Sequence, residues 1–224
     1  MPSPPQPASR RPPRARQRLG AHERRDQILR EAMRCFASHG FRGTTTRLLA
    51  QRVGITEAAL YRYFPSKQSL YAAIVDRKMA APDVVDSARR AADARDDLGV
   101  FSTLAREILT RGHADPDFLR ILLFTALEGH ALSEPFFASR VRRLREFLTA
   151  YVTTRIDEGA FRPVDPVLAA RAFLGMVFDH LNVQIVFGQG SVYTQPLERV
   201  VDTFVGIFLS GLREREGDRR AEPR

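Results

Sequence analysis

The sequence predicts an all-α protein, with an N-terminal three-helix unit followed by a longer helical bundle. Three observations predict it. Apolar residues recur at helical spacing along most of the 224 residues, with no strand-like alternation and no internal repeat. Capping residues and prolines punctuate the second half where helices would begin. Between Thr44 and Leu70, the run TTTRLLAQRVGITEAALYRYFPSKQSL sets two short helices about a glycine and adds a third.

Each element has its own local reason. A first helix is expected over 23–39, with Ile28, Ala32, Cys35 and Phe36 on one face and Gly40 ending it. Cys35 lies on that apolar face and reads as core. A second helix starts at Thr46 with Thr45 as cap, and Leu48, Leu49 and Val53 keep one face apolar. Ala50 is small enough for the next helix to cross closely, and Gly54 tolerates the left-handed backbone of the turn. Thr56 caps a third helix over about 57–63, with Glu57 in its first turn and Ile55 and Leu60 on the core side. Phe64-Pro65 stops it, since the residue before proline is pushed out of helical geometry. Ser66 caps a helix from Lys67 to at least Ala80, with Leu70, Ile74 and Val75 inward. Pro82 bends or ends that helix, or opens another.

In the second half, Asp115-Pro116, Ser133 before Pro135, Asp165-Pro166 and Thr194 before Pro196 mark helix starts. They cut the chain into helices near 84–95, 99–112, 116–131, 135–158, 166–187 and 196–213. Gly159 and the pair Gly188 and Gly190 supply stops. The helix over 166–187 is apolar almost all round, including Phe173, Met176, Phe178 and Leu181, and such a helix cannot face water on any side. The last helix carries a similar stripe through Phe204 and Phe208. One chain offers too little surface to cover both, so these two helices are expected to form a four-helix bundle with a second copy, against the alternative of one larger monomeric core.

Charge is unevenly placed. Residues 1–80 hold 16 Lys and Arg against 5 Asp and Glu, a balance of +11, whereas residues 81–224 hold 19 against 21, a balance of −2. A basic head on a neutral body is what a nucleic-acid-binding protein shows. Six of the first thirteen residues are proline, and Arg10, Arg11, Arg14, Arg16 and Arg18 lie in the same stretch with no acid among them. Residues 1–21 therefore read as a disordered basic arm, either a solvated tail or a segment lying along DNA. Residues 214–224 read as a flexible charged tail.

The same reading sets aside other classes. Hydrophobic residues make up 44%, ordinary for a soluble globular chain. A single cysteine allows no intrachain disulfide and suits a reducing, cytoplasmic compartment. No apolar run is long enough to span a membrane, and no secretory signal pattern is present. No metal-ligand spacing and no glycine-rich phosphate loop appears, so no metal and no cofactor are expected. His113, Asp115 and Ser133 are scattered polar residues rather than a triad, and no enzyme is expected.

The run from Arg25 to about Val75 resembles the DNA-binding domain of the TetR family of bacterial transcriptional regulators. The matching residues are Ile28, Ala32, Phe36, Gly40, Phe41, Thr44, Thr45, Leu49, Ala50, Gly54, Ile55, Thr56, Leu60, Tyr61, Phe64, Ser66, Lys67 and Leu70. Tyr63 stands where the family often has histidine, and Ala58 and Ala59 stand where glycine and threonine are frequent. Both departures bear on which bases are read. Beyond this run the chain matches only in length and helical character. The resemblance implies a helix-turn-helix DNA-binding domain over 22–66 and a helical ligand-binding and dimerisation domain over 67–213.

The expected function is a homodimeric transcriptional regulator, a repressor released from a palindromic operator in double-stranded DNA by a small-molecule effector. The alternative is a helical effector-binding or enzymatic bundle whose basic head binds nucleic acid nonspecifically. The third helix would enter the major groove. Arg47 can pair bidentately with guanine, and Ala58 and Ala59 offer methyl contacts to thymine. Glu57 has two readings, an acceptor for a cytosine amino group or a partner of the helix dipole. Thr45, Thr56, Tyr61, Tyr63 and Lys67 would hold phosphates, and capping and aromatic packing are compatible with that role. An effector pocket, mostly apolar with a few polar groups, would be lined by Phe101, Leu104, Phe118, Leu122, Phe147, Tyr151, Phe173 and Met176. Thr125, Glu128, His130, Asp179, His180, Asn182 and Gln184 are polar residues within apolar helices. Thr125, Glu128 and His180 are expected to join the pocket lining, and each of the seven could as well sit at the dimer seam or on a wet edge.

Overall fold

The structure, a computed structural model, describes residues 20–129 and 131–213. The expected arm, apart from Gly20 and Ala21, His130 and the tail over 214–224 lie outside the described residues. Every regular element among them is helical. Four helices form the N-terminal unit: α1 (Ala21–Gly43), α2 (Thr46–Val53), α3 (Glu57–Tyr63) and α4 (Lys67–Met79). The body follows as α5 (Val84–Asp93), α6 (Asp97–Ala114) and α7 (Pro116–Leu127). A run of tight and wide turns through α8 (Glu134–Phe136) leads into α9 (Arg142–Asp157). Last come α10 (Pro166–Leu181), which continues as a π turn to Val186, and α11 (Leu197–Leu212).

Most starts are set by side-chain caps. Thr45, Thr56 and Ser66 each accept from the backbone N–H three residues on. Asp115 and Asp165 do the same ahead of Pro116 and Pro166. Pro82 does precede a new helix: buried Asp83 caps α5 through the Val85 N–H at 3.0 Å. Its carboxylate also pairs with Arg140 at 3.0 Å and Arg143 at 3.1 Å. Two expected caps are corrected. Ser133 makes no cap bond; its hydroxyl is buried against the Tyr71 hydroxyl at 2.5 Å. Thr194 is not the cap of α11, which begins after Pro196 without a side-chain cap.

Two apolar cores result. The first joins α1–α4 through Phe36, Phe41, Leu49, Leu60, Leu70 and Tyr71, and it also takes in Phe118, Ile121 and Leu122 of α7. Ring contacts of 5.5–5.8 Å link Phe36, Phe41 and Tyr71. Cys35 is buried here, as its apolar position predicts, and burial pushes its thiol pKa up. The second core joins α5, α6, α9, α10 and α11, with Phe101 edge-on to Phe173 at 4.9 Å and to Phe208 at 4.8 Å. Helix α7 touches both cores.

The joint between them is polar and specific. Gly40 interrupts α1 with φ 68° and ψ −179°, a conformation essentially reserved for glycine. The turn it creates exposes the N–H groups of Phe41 and Arg42, and the Glu128 carboxylate at the end of α7 accepts both, at 3.0 and 3.1 Å. The Arg42 guanidinium donates back to the Glu128 carbonyl oxygen at 3.2 Å. The Lys67 ammonium donates to the carbonyls of the same turn, Phe41 at 2.7 Å and Thr44 at 2.9 Å.

A Cβ at Gly40 would collide with the Glu128 carboxylate, whereas one at Gly159 (φ 71°) meets open space. Gly159→Ala should therefore cost only backbone strain, about 1 kcal/mol. Gly40→Ala should cost more, about 2–4 kcal/mol, because strain adds to a displaced hydrogen-bonded carboxylate. Urea unfolding of the two variants measures the difference; equal losses would mean that the joint gives way freely.

Candidate nucleic-acid interface

The helix-turn-helix is built from local rules. Gly54 takes the left-handed conformation (φ 74°, ψ 41°) and its N–H closes the end of α2 on the Ala50 carbonyl. Leu49, Ala50, Val53 and Leu60 are buried in the same core, which packs α3 onto α2. That leaves Thr45, Arg47, Thr56, Glu57, Ala58 and Tyr61 exposed and Ala59 and Tyr63 half-buried. The Arg47 side chain makes no hydrogen bond or ion pair with a described residue, so its guanidinium is available to a ligand. The hydroxyls of Thr45 and Thr56 are engaged as caps by the Leu48 and Ala59 N–H groups, but each keeps its own proton to donate.

Five side chains, those of Thr46, Glu57, Tyr61, Arg25 and Lys67, have partners that sequence reading did not foresee. The Thr46 hydroxyl donates to a Glu57 carboxylate oxygen at 2.7 Å, and the Tyr61 hydroxyl lies 3.5 Å from the Thr46 oxygen. The Arg25 guanidinium sits 4.2 Å over the Phe64 ring and donates to the Tyr63 carbonyl at 3.0 Å, fastening the start of α1 to the end of α3. Lys67 is engaged internally: two carbonyls take its protons and its ammonium lies 4.3 Å over the Phe41 ring. Burial lowers its pKa while Glu128 pulls the other way. In this structure Lys67 is a clamp on the turn after Gly40 rather than a free phosphate donor.

The residues expected to line an effector pocket do not surround one cavity. Phe101, Leu104 and Phe173 fill the second core. Phe147 packs against it, stacked on Tyr151 at 6.4 Å. The Tyr151 hydroxyl donates to Asp97 at 2.7 Å, and burial together with that carboxylate drives its pKa up. Phe118 and Leu122 belong to the head core. Thr125 is buried with its hydroxyl 2.6 Å from that of Tyr71, and Glu128 is committed to the joint. Of these residues, Met176 and His180 line a cleft of about 500 Å³ between α10, α11 and the segment joining them. Asp179, Tyr193, Arg199 and Phe204 line it as well. Burial and the nearby His113 lower the His180 pKa. Gln184 bridges His113 and the Tyr193 carbonyl, and Asn182 has a buried side-chain oxygen without a partner.

His113, Asp115 and Ser133 stay apart: His113 faces the Leu109 carbonyl and Gln184, Asp115 caps α7 and pairs with Lys78, and Ser133 meets Tyr71. No described helix is long and apolar enough to cross a membrane.

Residues 28–74 match the model of bacterial regulatory proteins of the tetR family, and residues 113–211 match the C-terminal domain of AefR-like transcriptional repressors. The chain is 30% identical over 169 residues to the nucleoid occlusion factor SlmA of Photobacterium profundum, covering 71% of this chain and 82% of that protein. The crystal structure of the TetR family regulator PfmR from Thermus thermophilus superposes with TM-score 0.64 at 26% identity, covering 84% of this chain and 99% of that one. The structure of AibR with isovaleryl coenzyme A and operator DNA shares the fold, with TM-score 0.52 at 22% identity over 82% of this chain and 97% of that one. With its helix-turn-helix and body matched in succession by the two models, the chain belongs to the TetR family and is a DNA-binding transcriptional regulator.

Proposed function

We propose that the protein is a cytoplasmic repressor that grips a palindromic operator as a homodimer through α10 and α11. One observation carries this reading. A protomer combines a helix-turn-helix whose outward side chains are open to a ligand with an α10–α11 face left in water. On that face Leu168 is 60% and Ile207 61% exposed, and Phe187, in the connection between the helices, is 68% exposed. Large apolar side chains gathered on two adjacent helices call for a covering surface. A two-fold axis supplies one by presenting the same face twice, and it sets two copies of α3 one helical turn of DNA apart.

On the DNA, α3 lies in the major groove, with Arg47 reading a guanine and Ala58 and Ala59 meeting thymine methyls. Thr45, Thr56, Tyr61 and Tyr63 hold the backbone and fix register. The AefR-like match supports repression as the sign of regulation. The AibR structure with an acyl coenzyme A supports a small-molecule effector. The effector site belongs to the half built from α6, α9, α10 and α11, where Phe147, Met176 and His180 lie. It does not belong to Phe118, Leu122, Thr125 and Glu128, which are occupied in joining head to body. An effector that prefers a body shape with the heads misplaced releases DNA by population shift.

Footprinting on selected DNA tests the reading. The wild-type protein should protect a short palindrome; diffuse protection at all sequences would favour a nonspecific basic head. Arg47→Ala should cost about 1–3 kcal/mol and relax preference at one base pair per half-site. An unchanged motif and affinity would remove Arg47 from base reading. The seam is tested at Ile207, because Phe178 and Phe204 pack partly against their own core and an arginine there would disturb the protomer itself. Ile207→Arg should stay helical, sediment as a monomer and lose the palindrome footprint. A dimer of unchanged stability would place the interface elsewhere.

A further inference from the structure

We propose that Thr46 is a positioning residue for base recognition: it holds the Glu57 carboxylate on the groove face of α3, where Glu57 selects cytosine at one position of each half-site. This rests on the reading that α3 enters the major groove.

The two residues occupy equivalent places, the first helical positions of α2 and α3. Thr46 is branched at Cβ, so its side chain has few rotamers and its hydroxyl direction follows from the α2 backbone. It donates its single proton to one Glu57 oxygen at 2.7 Å. The Tyr61 hydroxyl, 3.5 Å away, lies where it can donate to the Thr46 oxygen in turn. A glutamate at an exposed helix start would otherwise sample several rotamers; here one oxygen is tied and the carboxylate has a defined direction.

An ionised carboxylate only accepts. Glu57 accepts no further hydrogen bond from a described residue, so its second oxygen remains open. The chemistry of the groove then narrows the choice. Phosphates repel it, and so do the acceptors of guanine and the O4 of thymine. Amino groups are offered by cytosine N4 and adenine N6, but adenine places its N7 acceptor beside the amino group, where a carboxylate meets repulsion. Cytosine alone presents a donor without a flanking acceptor on its major-groove edge. The same negative charge weakens binding to any phosphate backbone, so Glu57 trades general affinity for discrimination.

Selection of binding sites from random duplex DNA, with the full-length wild type and the variants Thr46→Val, Thr46→Ser and Glu57→Gln, tests this. The wild type should favour cytosine at one half-site position by about tenfold or more. Thr46→Val keeps the shape and removes the hydroxyl; the cytosine preference should fall to within about threefold while the rest of the motif and the salt dependence persist. Thr46→Ser should restore it, which separates lost positioning from a damaged fold. Glu57→Gln should move the preference to adenine, which an amide reads through N6 and N7, and should raise affinity for nonspecific DNA. An intact cytosine preference in Thr46→Val would overturn the positioning role of Thr46; an unchanged motif in Glu57→Gln would overturn base reading itself and leave Glu57 as a partner of the helix dipole. If the wild type itself selects no discrete motif, the groove reading fails and this assignment with it.

Discussion

The turn after Gly40 is the constraint on which the rest of the molecule depends. Phe41 and Arg42 present two N–H groups there, and Phe41 and Thr44 present two carbonyls. Left alone inside a joint, such groups would be expensive. The body supplies the acceptor, Glu128, and the head supplies the donor, Lys67. The peptide dipoles of one short turn are thus held by two opposite charges. Because α2 starts at Thr46, directly after this turn, the clamp also sets where the helix-turn-helix begins relative to α7. The buried hydroxyls of Tyr71, Thr125 and Ser133 reinforce the same junction from inside, tying α4 to α7 and to the turns before α9.

Much of the head was legible in the sequence because its determinants are local. The caps Thr45, Thr56 and Ser66, the left-handed Gly54 and the Pro65 stop lie within a few residues of the backbone groups they serve. The pairing of Thr46 with Glu57 was not foreseen, although both stand just after a capping threonine and the turn between them is short. Glu128 could not be found this way: 87 residues separate it from Phe41, and no local pattern marks a carboxylate as the partner of a distant turn.

The expected pocket lining shows a different limit. Phe101, Phe173 and Tyr151 recur at helical spacing whether they line a cavity or fill a core, and spacing alone cannot separate the two. Their ring contacts with one another and with Phe208 show a filled core. Phe118 and Leu122 lie on the face of α7 that turns toward the head, a choice made by tertiary packing and not by the helix itself. The exposed face of α10 and α11 was legible for the opposite reason. Many large apolar residues fall on two helices; Phe173, Leu181 and Phe208 are covered within the protomer, whereas Leu168 and Ile207 are left in water.

Measuring the distance between the two heads tests the role of the clamp most directly. Cys35 is buried and its thiol is held in the protonated form, so a cysteine introduced by Arg30→Cys at an exposed position of α1 is the reactive site for a spin label. In the proposed dimer, pulsed electron resonance should give one narrow distance distribution. Glu128→Ala, with the dimer intact, should broaden it severalfold as the Phe41 and Arg42 N–H groups lose their partner. An equally narrow distribution in Glu128→Ala would show that the heads are held by apolar packing along α7 alone and that the charged clamp is incidental.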